Sequence, residues 1–158
     1  MVNTTLPQAR ITIYCDGLCE PVNPGGYGCW GWLAVDLAGC TLGSDHGCIG
    51  KGAGITNNRA EYCAFIYALE YARQQRWRGM SVRSDSQLVI NQVAGRWACN
   101  APALQPLCTA ARRLVEVTEA MLEWVPREQN AQADLLSRRA YDEARRAFPS
   151  MRHAEVHR

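Results

Sequence analysis

The spacing of the first three strand-like runs constrains this chain more than any other feature. Ile11-Thr12-Ile13-Tyr14-Cys15 alternates with period two up to Asp16-Gly17, a pair that predicts a turn. Residues 27–36 and 41–49 read as second and third strands, the last made irregular by Gly43 and Gly47. A Pro- and Gly-rich loop over 19–28 and a short gap around Gly39 separate them. Neither gap has room for a crossover helix, so the three strands form an antiparallel meander. Helices and strands then alternate. Residues 58–76 predict a helix with Asn58 as N-cap, 80–84 a strand, and 86–94 a helix closed by Gly95. A linker over 97–106, with Trp97 as a core anchor, leads to a helix at 107–119. A strand at 121–125, ended by Pro126, and a helix at 130–147 complete the pattern. The predicted fold is α/β: a five-stranded mixed sheet, three antiparallel strands then two parallel, with helices on both faces.

The length of 158 residues predicts a single domain over 1–158, with a core of about 10–147 and a polar tail at 149–158. Composition agrees with a packed globular chain, at 47% hydrophobic and 20% charged. No apolar run approaches the ~20 residues needed to cross a bilayer, so no membrane association is expected. The opening MVNTTLPQARITIYCDG lacks a basic n-region followed by an apolar stretch, which predicts a cytoplasmic protein. A net charge of +2 excludes a strongly basic arm that binds polyanions by charge alone. All basic residues except Lys51 are arginine, a bias that a GC-rich genome produces as readily as phosphate binding does. Eight cysteines form no C-x-x-C pair, and two of three histidines (His153, His157) lie in the tail, which argues against zinc. The cysteines are expected to be reduced and structural, with Cys40–Cys48 as the one conceivable hairpin bridge.

Four acids stand at special places: Asp16, Glu61, Asp85 and Asp134. Each has a local explanation. Asp16 starts a turn before Gly17, Glu61 completes a capping box from Asn58, Asp85 caps a helix, and Asp134 complements a helix dipole. Two features favour a shared role. Glu61 lies on the stripe of Phe65, Ala68, Leu69 and Ala72, which points it toward the packed side. Asp16 and Asp85 are expected to end strands, and Glu61 and Asp134 to open helices, so all four can meet at one sheet edge. Two carboxylates ~5 Å apart repel by roughly 3 kcal/mol at an effective dielectric of ~20. Such a cluster takes up protons or binds a hard divalent ion such as Mg²⁺ or Mn²⁺. Two ions so held clamp the oxygens of a phosphodiester displacement. No P-loop, G-x-G-x-x-G turn or G-x-S-x-G elbow is present.

The blocks YCDG (14–17), NPGGYG (23–28), TNNRAE (56–61), SDSQ (84–87) and WVPREQNAQAD (124–134) together resemble type 1 ribonuclease H. The resemblance covers roughly residues 10–147. It implies cleavage of the RNA strand of RNA–DNA hybrids with two Mg²⁺ ions, Mn²⁺ being a substitute, leaving 5′-phosphate and 3′-hydroxyl ends. Carried over, Asp16 bridges both metals, Glu61 and Asp85 complete the ion on the leaving-group side, and Asp134 holds the ion that delivers water. Gly17, Asn23, Thr56, Asn57 and Gln87 match hybrid-contacting positions, where 2′-hydroxyls identify RNA.

The sequence departs from the family pattern in two places. Many members carry a histidine in the loop before the last aspartate. Here the loop is Pro126-Arg127-Glu128-Gln129-Asn130, closer to the shorter archaeal and bacterial subgroup. Arg127 as phosphate contact, Glu128 as proton carrier and Asn130 are the accessory candidates. The stretch between Ala94 and Leu107 is too short for the basic helix that many members insert, which predicts weak hybrid affinity. Arg112 and Arg113 are either a residual basic patch or a solvated face. A monomer without an obligate protein partner is expected. The competing reading is a non-catalytic nucleic-acid-binding module on the same fold; loss of one acid is its signature, and none is lost.

Overall fold

The computed structural model describes residues 10–147; the polar tail, with His153 and His157, lies outside the described residues. Five strands form one sheet: β1 (Thr12–Glu20), β2 (Tyr27–Val35), β3 (Thr41–Lys51), β4 (Ser81–Ser84) and β5 (Met121–Trp124). Their spatial order is β3-β2-β1-β4-β5. The β1–β2 and β2–β3 pairs are antiparallel, and the β1–β4 and β4–β5 pairs are parallel. The expected architecture is the observed one. Helices α1 (Asn57–Gln74), α2 (Gln87–Val93), α3 (Gln105–Thr118) and α4 (Ala131–Ala147) cover it.

Period-two alternation divides the helices between the two faces of the sheet. Ile13 and Cys15 of β1, with Trp32 and Ala34 of β2, pack beneath Phe65, Ala68, Leu69 and Ala72 of α1, and α3 packs against α1. On the other face, Leu18 and Cys29 meet Ala140 and Ala144 of α4. The stripe read from the sequence is therefore the buried face of α1, and Glu61 is buried with it.

Several local expectations are overturned. Asp16-Gly17 is not a turn: the strand continues to Glu20, because β2 supplies ladder partners all the way from Gly31 opposite Asp16 to Tyr27 opposite Glu20. The loop shrinks accordingly to 21–26. Gly17 stays glycine for a steric reason, since a Cβ there would fall 2.3 Å from the Glu61 nitrogen. Helix α1 is capped by Thr56, whose hydroxyl accepts from Arg59 N at 3.1 Å, and not by Asn58. Ser86 caps α2 by accepting from Val89 N at 3.2 Å, so Asp85 is not the cap. Gly95 does adopt the left-handed conformation expected after α2, with φ +79°. Trp97 is no core anchor: the Arg96 and Trp97 amides both return to the Asn91 carbonyl, which turns the linker outward and leaves Trp97 45% exposed. Cys40 and Cys48 are free thiols, as are the other six cysteines. Arg112 donates twice to the Gln92 carbonyl, at 2.7 and 3.2 Å, so it ties α3 to α2 and is not an open basic patch.

Candidate active site

With Thr56 and Ser86 doing the capping and β1 running straight through Asp16, three of the four acids lose their local explanations. Asp16 projects from the middle of β1, Glu61 from the second turn of α1, and Asp85 from the junction of β4 and α2. Each offers a carboxylate oxygen, and these oxygens all lie within 4.8 Å of one another. Asp16 and Glu61 are only 5% and 6% exposed. They line a cleft of about 320 Å³ with Gly17, Asn57, Asp85, Arg127, Asp134 and Arg138 among its walls.

Burial and mutual repulsion both oppose ionisation here. Burial pushes the Asp16 carboxyl up to about 7, with Asp85 and Asp134 adding to the rise; Ser137 and Arg127 oppose it. Glu61 is raised well above the ordinary range by burial, then by Asp16 and Asp85, against which the Gly17 backbone N–H works. Burial raises Asp85 as well, countered by its own backbone N–H, Asn130 and Arg127. Glu61 Oε2 is buried with no hydrogen-bond partner among the described residues. An orphaned carboxylate oxygen beside two more carboxylates suits a hard cation, which answers the repulsion and the missing partner together.

Asp134 stands apart within the same cleft. Its carboxylate takes Arg138 Nε at 3.3 Å and lies 3.9 Å from Arg127 Nη2, outside the 4.8 Å group. Of the hybrid-contact candidates, Gly17 and Asn57 line the cleft. Asn23 Oδ1 accepts from the Asn57 amide at 3.0 Å, pinning the 21–26 loop to the start of α1 beside the Thr56 cap. Gln87 is exposed on the first turn of α2, next to the cleft residue Ser86. Among the accessory candidates, Arg127 reaches the cleft from a 3-10 turn spanning Arg127–Gln129. Glu128 instead lines a separate depression with Tyr14 and Gly39. Asn130, 1% exposed, donates through Nδ2 to the Cys15 carbonyl at 2.8 Å and to Asp85 Oδ1 at 3.5 Å, so it braces β1 and the Asp85 side chain.

Three further residues escape a reading by sequence. Trp124 Nε1 donates to the Asp85 carbonyl at 3.1 Å, Arg138 pairs with Asp134, and Ser137 Oγ donates to Asp16 Oδ2 at 2.6 Å. The i, i+4 spacing of Asp134 and Arg138 was the one available signal among them.

A family model described as reverse transcriptase-like matches residues 15–140. The ribonuclease HI of Halobacterium salinarum is 37% identical over 136 residues, which span 85% of this chain and 66% of that protein. The chain belongs to the type 1 ribonuclease H family. Within this ribonuclease H family the fold is closely shared. The crystal structure of RNase H1 from Halobacterium salinarum superposes with a TM-score of 0.77 at 35% identity, covering 85% of this chain and 98% of that one. The N-terminal RNase H domain of a Mycobacterium tuberculosis protein gives 0.78 at 32% identity, covering 88% and 98%. LC11-RNase H1, a protein obtained from compost by a metagenomic approach, gives 0.77 at 32% identity, covering 85% and 99%; that protein was crystallised with an RNA/DNA hybrid. No described helix is long and apolar enough to cross a membrane.

Proposed function

We propose that this protein hydrolyses the RNA strand of RNA–DNA hybrids with two divalent metal ions, leaving 5′-phosphate and 3′-hydroxyl ends. The observation that carries this reading is the meeting of three carboxylates from three separate elements around a buried Glu61 oxygen that no group among the described residues satisfies. Mg²⁺, with Mn²⁺ as substitute, matches the all-oxygen donor set of Asp16, Glu61 and Asp85, with Asp134 in reach on the same cleft. When bound, the ions supply the positive charge that stabilises the attacking and leaving oxygens.

The chain's own residues choose and hold the substrate. Because Asn23 Oδ1 is already engaged by Asn57, the two Nδ2 protons of Asn23 are the ones it presents outward. Gly17 and Asn57 in the cleft wall, with Thr56 and Gln87 next in the chain to the cleft residues Asn57 and Ser86, offer backbone and amide groups suited to 2′-hydroxyls and phosphate. Arg127, at the exposed rim, matches a phosphate, and Asn130 keeps Asp85 aimed inward. The reading also takes the chain to act as a single domain and a monomer in the cytoplasm, without an obligate protein partner.

A labelled hybrid incubated with Mg²⁺, Mn²⁺ or chelator tests it across neutral to alkaline pH. RNA-strand cleavage that needs the ion is the expected result. An intact hybrid under every condition overturns it, and tight binding without cleavage favours the non-catalytic module. Competition with duplex DNA and duplex RNA separates a hybrid-specific enzyme from other nucleases on this fold.

A further inference from the structure

Helix α4 lies against the sheet through four buried positions, Ala133, Ser137, Ala140 and Ala144. Three are the smallest side chain that still favours a helix, as expected where a helix must approach a sheet closely. Gly31 makes the same approach possible from below: a Cβ there would fall 2.5 Å from Leu136 Cβ and 2.7 Å from Ser137 N. Gly31 is also the ladder partner of Asp16. The single hydroxyl in this otherwise apolar stripe therefore comes down beside that carboxylate.

Ser137 is fully buried. A hydroxyl in such a place is destabilising unless it is bonded. Its oxygen lies 2.6 Å from Asp16 Oδ2 and 2.9 Å from the Asp134 carbonyl. One proton serves two acceptors, and the carboxylate, closer and charged, forms the stronger bond. The contact joins a side chain of β1 to the helix turn that carries Asp134, across 121 residues of sequence.

We propose that Ser137 is a positioning residue for the ion-binding centre. It fixes the plane of the Asp16 carboxylate and, through the Asp134 turn, the separation between Asp134 and the group formed by Asp16, Glu61 and Asp85. The inference rests on the divalent-ion reading given above and adds a specific residue to it. Partners that orient a metal's ligands are commonly worth about 10- to 100-fold in metal affinity or activity when removed.

The test compares Ser137→Ala with Ala140→Gly, which loosens the same buried stripe without touching a carboxylate. Mn²⁺ binding is measured by calorimetric titration with MnCl₂, and hybrid cleavage is resolved into kcat and KM. Ser137→Ala is expected to weaken Mn²⁺ binding about tenfold and to lower kcat with KM for hybrid unchanged. Ala140→Gly is expected to lower the melting temperature while leaving both readouts in place. Recovery of Mn²⁺ affinity in Ser137→Thr, which keeps the hydroxyl, adds support. Wild-type Mn²⁺ affinity and kcat in Ser137→Ala overturn the proposal, as does an equal loss of affinity in Ala140→Gly. A wild-type protein that neither binds Mn²⁺ nor cleaves hybrid overturns the functional reading instead, so the two failures are distinguishable.

Discussion

Glu61 and Phe65 sit one turn apart on the same buried stripe of α1 and are almost equally hidden from water, yet they act on the fold in opposite directions. Phe65 joins Ile13, Leu69, Met80 and Val82 in the main core, where each apolar group removed from water adds to stability. Glu61 faces Asp16 and Asp85, and one of its oxygens has no hydrogen-bond partner among the described residues. The helix thus runs from a region that stabilises the fold into one that opposes it. The contrast teaches that the core beneath the acidic end offsets the cost of bringing its carboxylates together, while contacts such as Ser137 to Asp16 and Asn130 to Asp85 orient them.

Substitutions that exchange these characters test the contrast most severely. Asp16→Asn is expected to reduce hybrid cleavage roughly a thousandfold or more, equivalent to about 4 kcal/mol of barrier, while raising the melting temperature of the ion-free protein at pH 8. A cleavage assay paired with thermal melts checks both halves. If the variant melts lower than wild type, the acidic end is not a destabilised region. Phe65→Ala does the reverse: a loss of about 3–5 kcal/mol in denaturant unfolding, with cleavage per folded molecule largely kept.

Proton linkage sharpens the same comparison. The Asp16 carboxyl is raised from 3.8 to about 7 in the folded protein. Between those values the folded chain holds a proton that the unfolded chain has released, so stability falls as pH rises through the window and returns on acidification. Glu61, also raised, contributes with the same sign. The effect of Asp16 reaches up to about 4 kcal/mol by pH 8. Urea unfolding with chelator at pH 5.5 and pH 8 is expected to show higher stability at the lower pH, and Asp16→Asn to flatten the slope. A rise in stability toward pH 8 contradicts the account. The smallest expected effect belongs to Gly17→Ala, whose new methyl meets the α1 backbone at Glu61 and Ala60. A loss of about 1–3 kcal/mol accompanies a shift of Glu61 away from Asp16, read as weaker Mn²⁺ binding.

Much of this was legible in the residues. The short gaps among the first strands and the later helix–strand alternation predicted the mixed sheet, because handedness and connection length leave few topologies open. The stripe from Glu61 to Ala72 named the face that α1 buries. What failed were readings that treated a residue by its neighbours alone. Asp16-Gly17 has turn composition, but ladder partners thirteen to fifteen positions away keep it extended. Asn58 resembles a cap, but Thr56 takes the place, which leaves Glu61 two residues past the capping-box position. Trp97 has core composition, but the return of its amide to Asn91 turns it outward.

By itself, the sequence determined the order of elements, the two faces of the sheet and the identity of the acids, since period and connection length are local properties of the chain. Only the tertiary structure decided which acids meet and that Ser137 touches Asp16. Those contacts join residues tens to more than a hundred positions apart, and their distances depend on how closely a glycine lets one helix approach one strand, which no local pattern records.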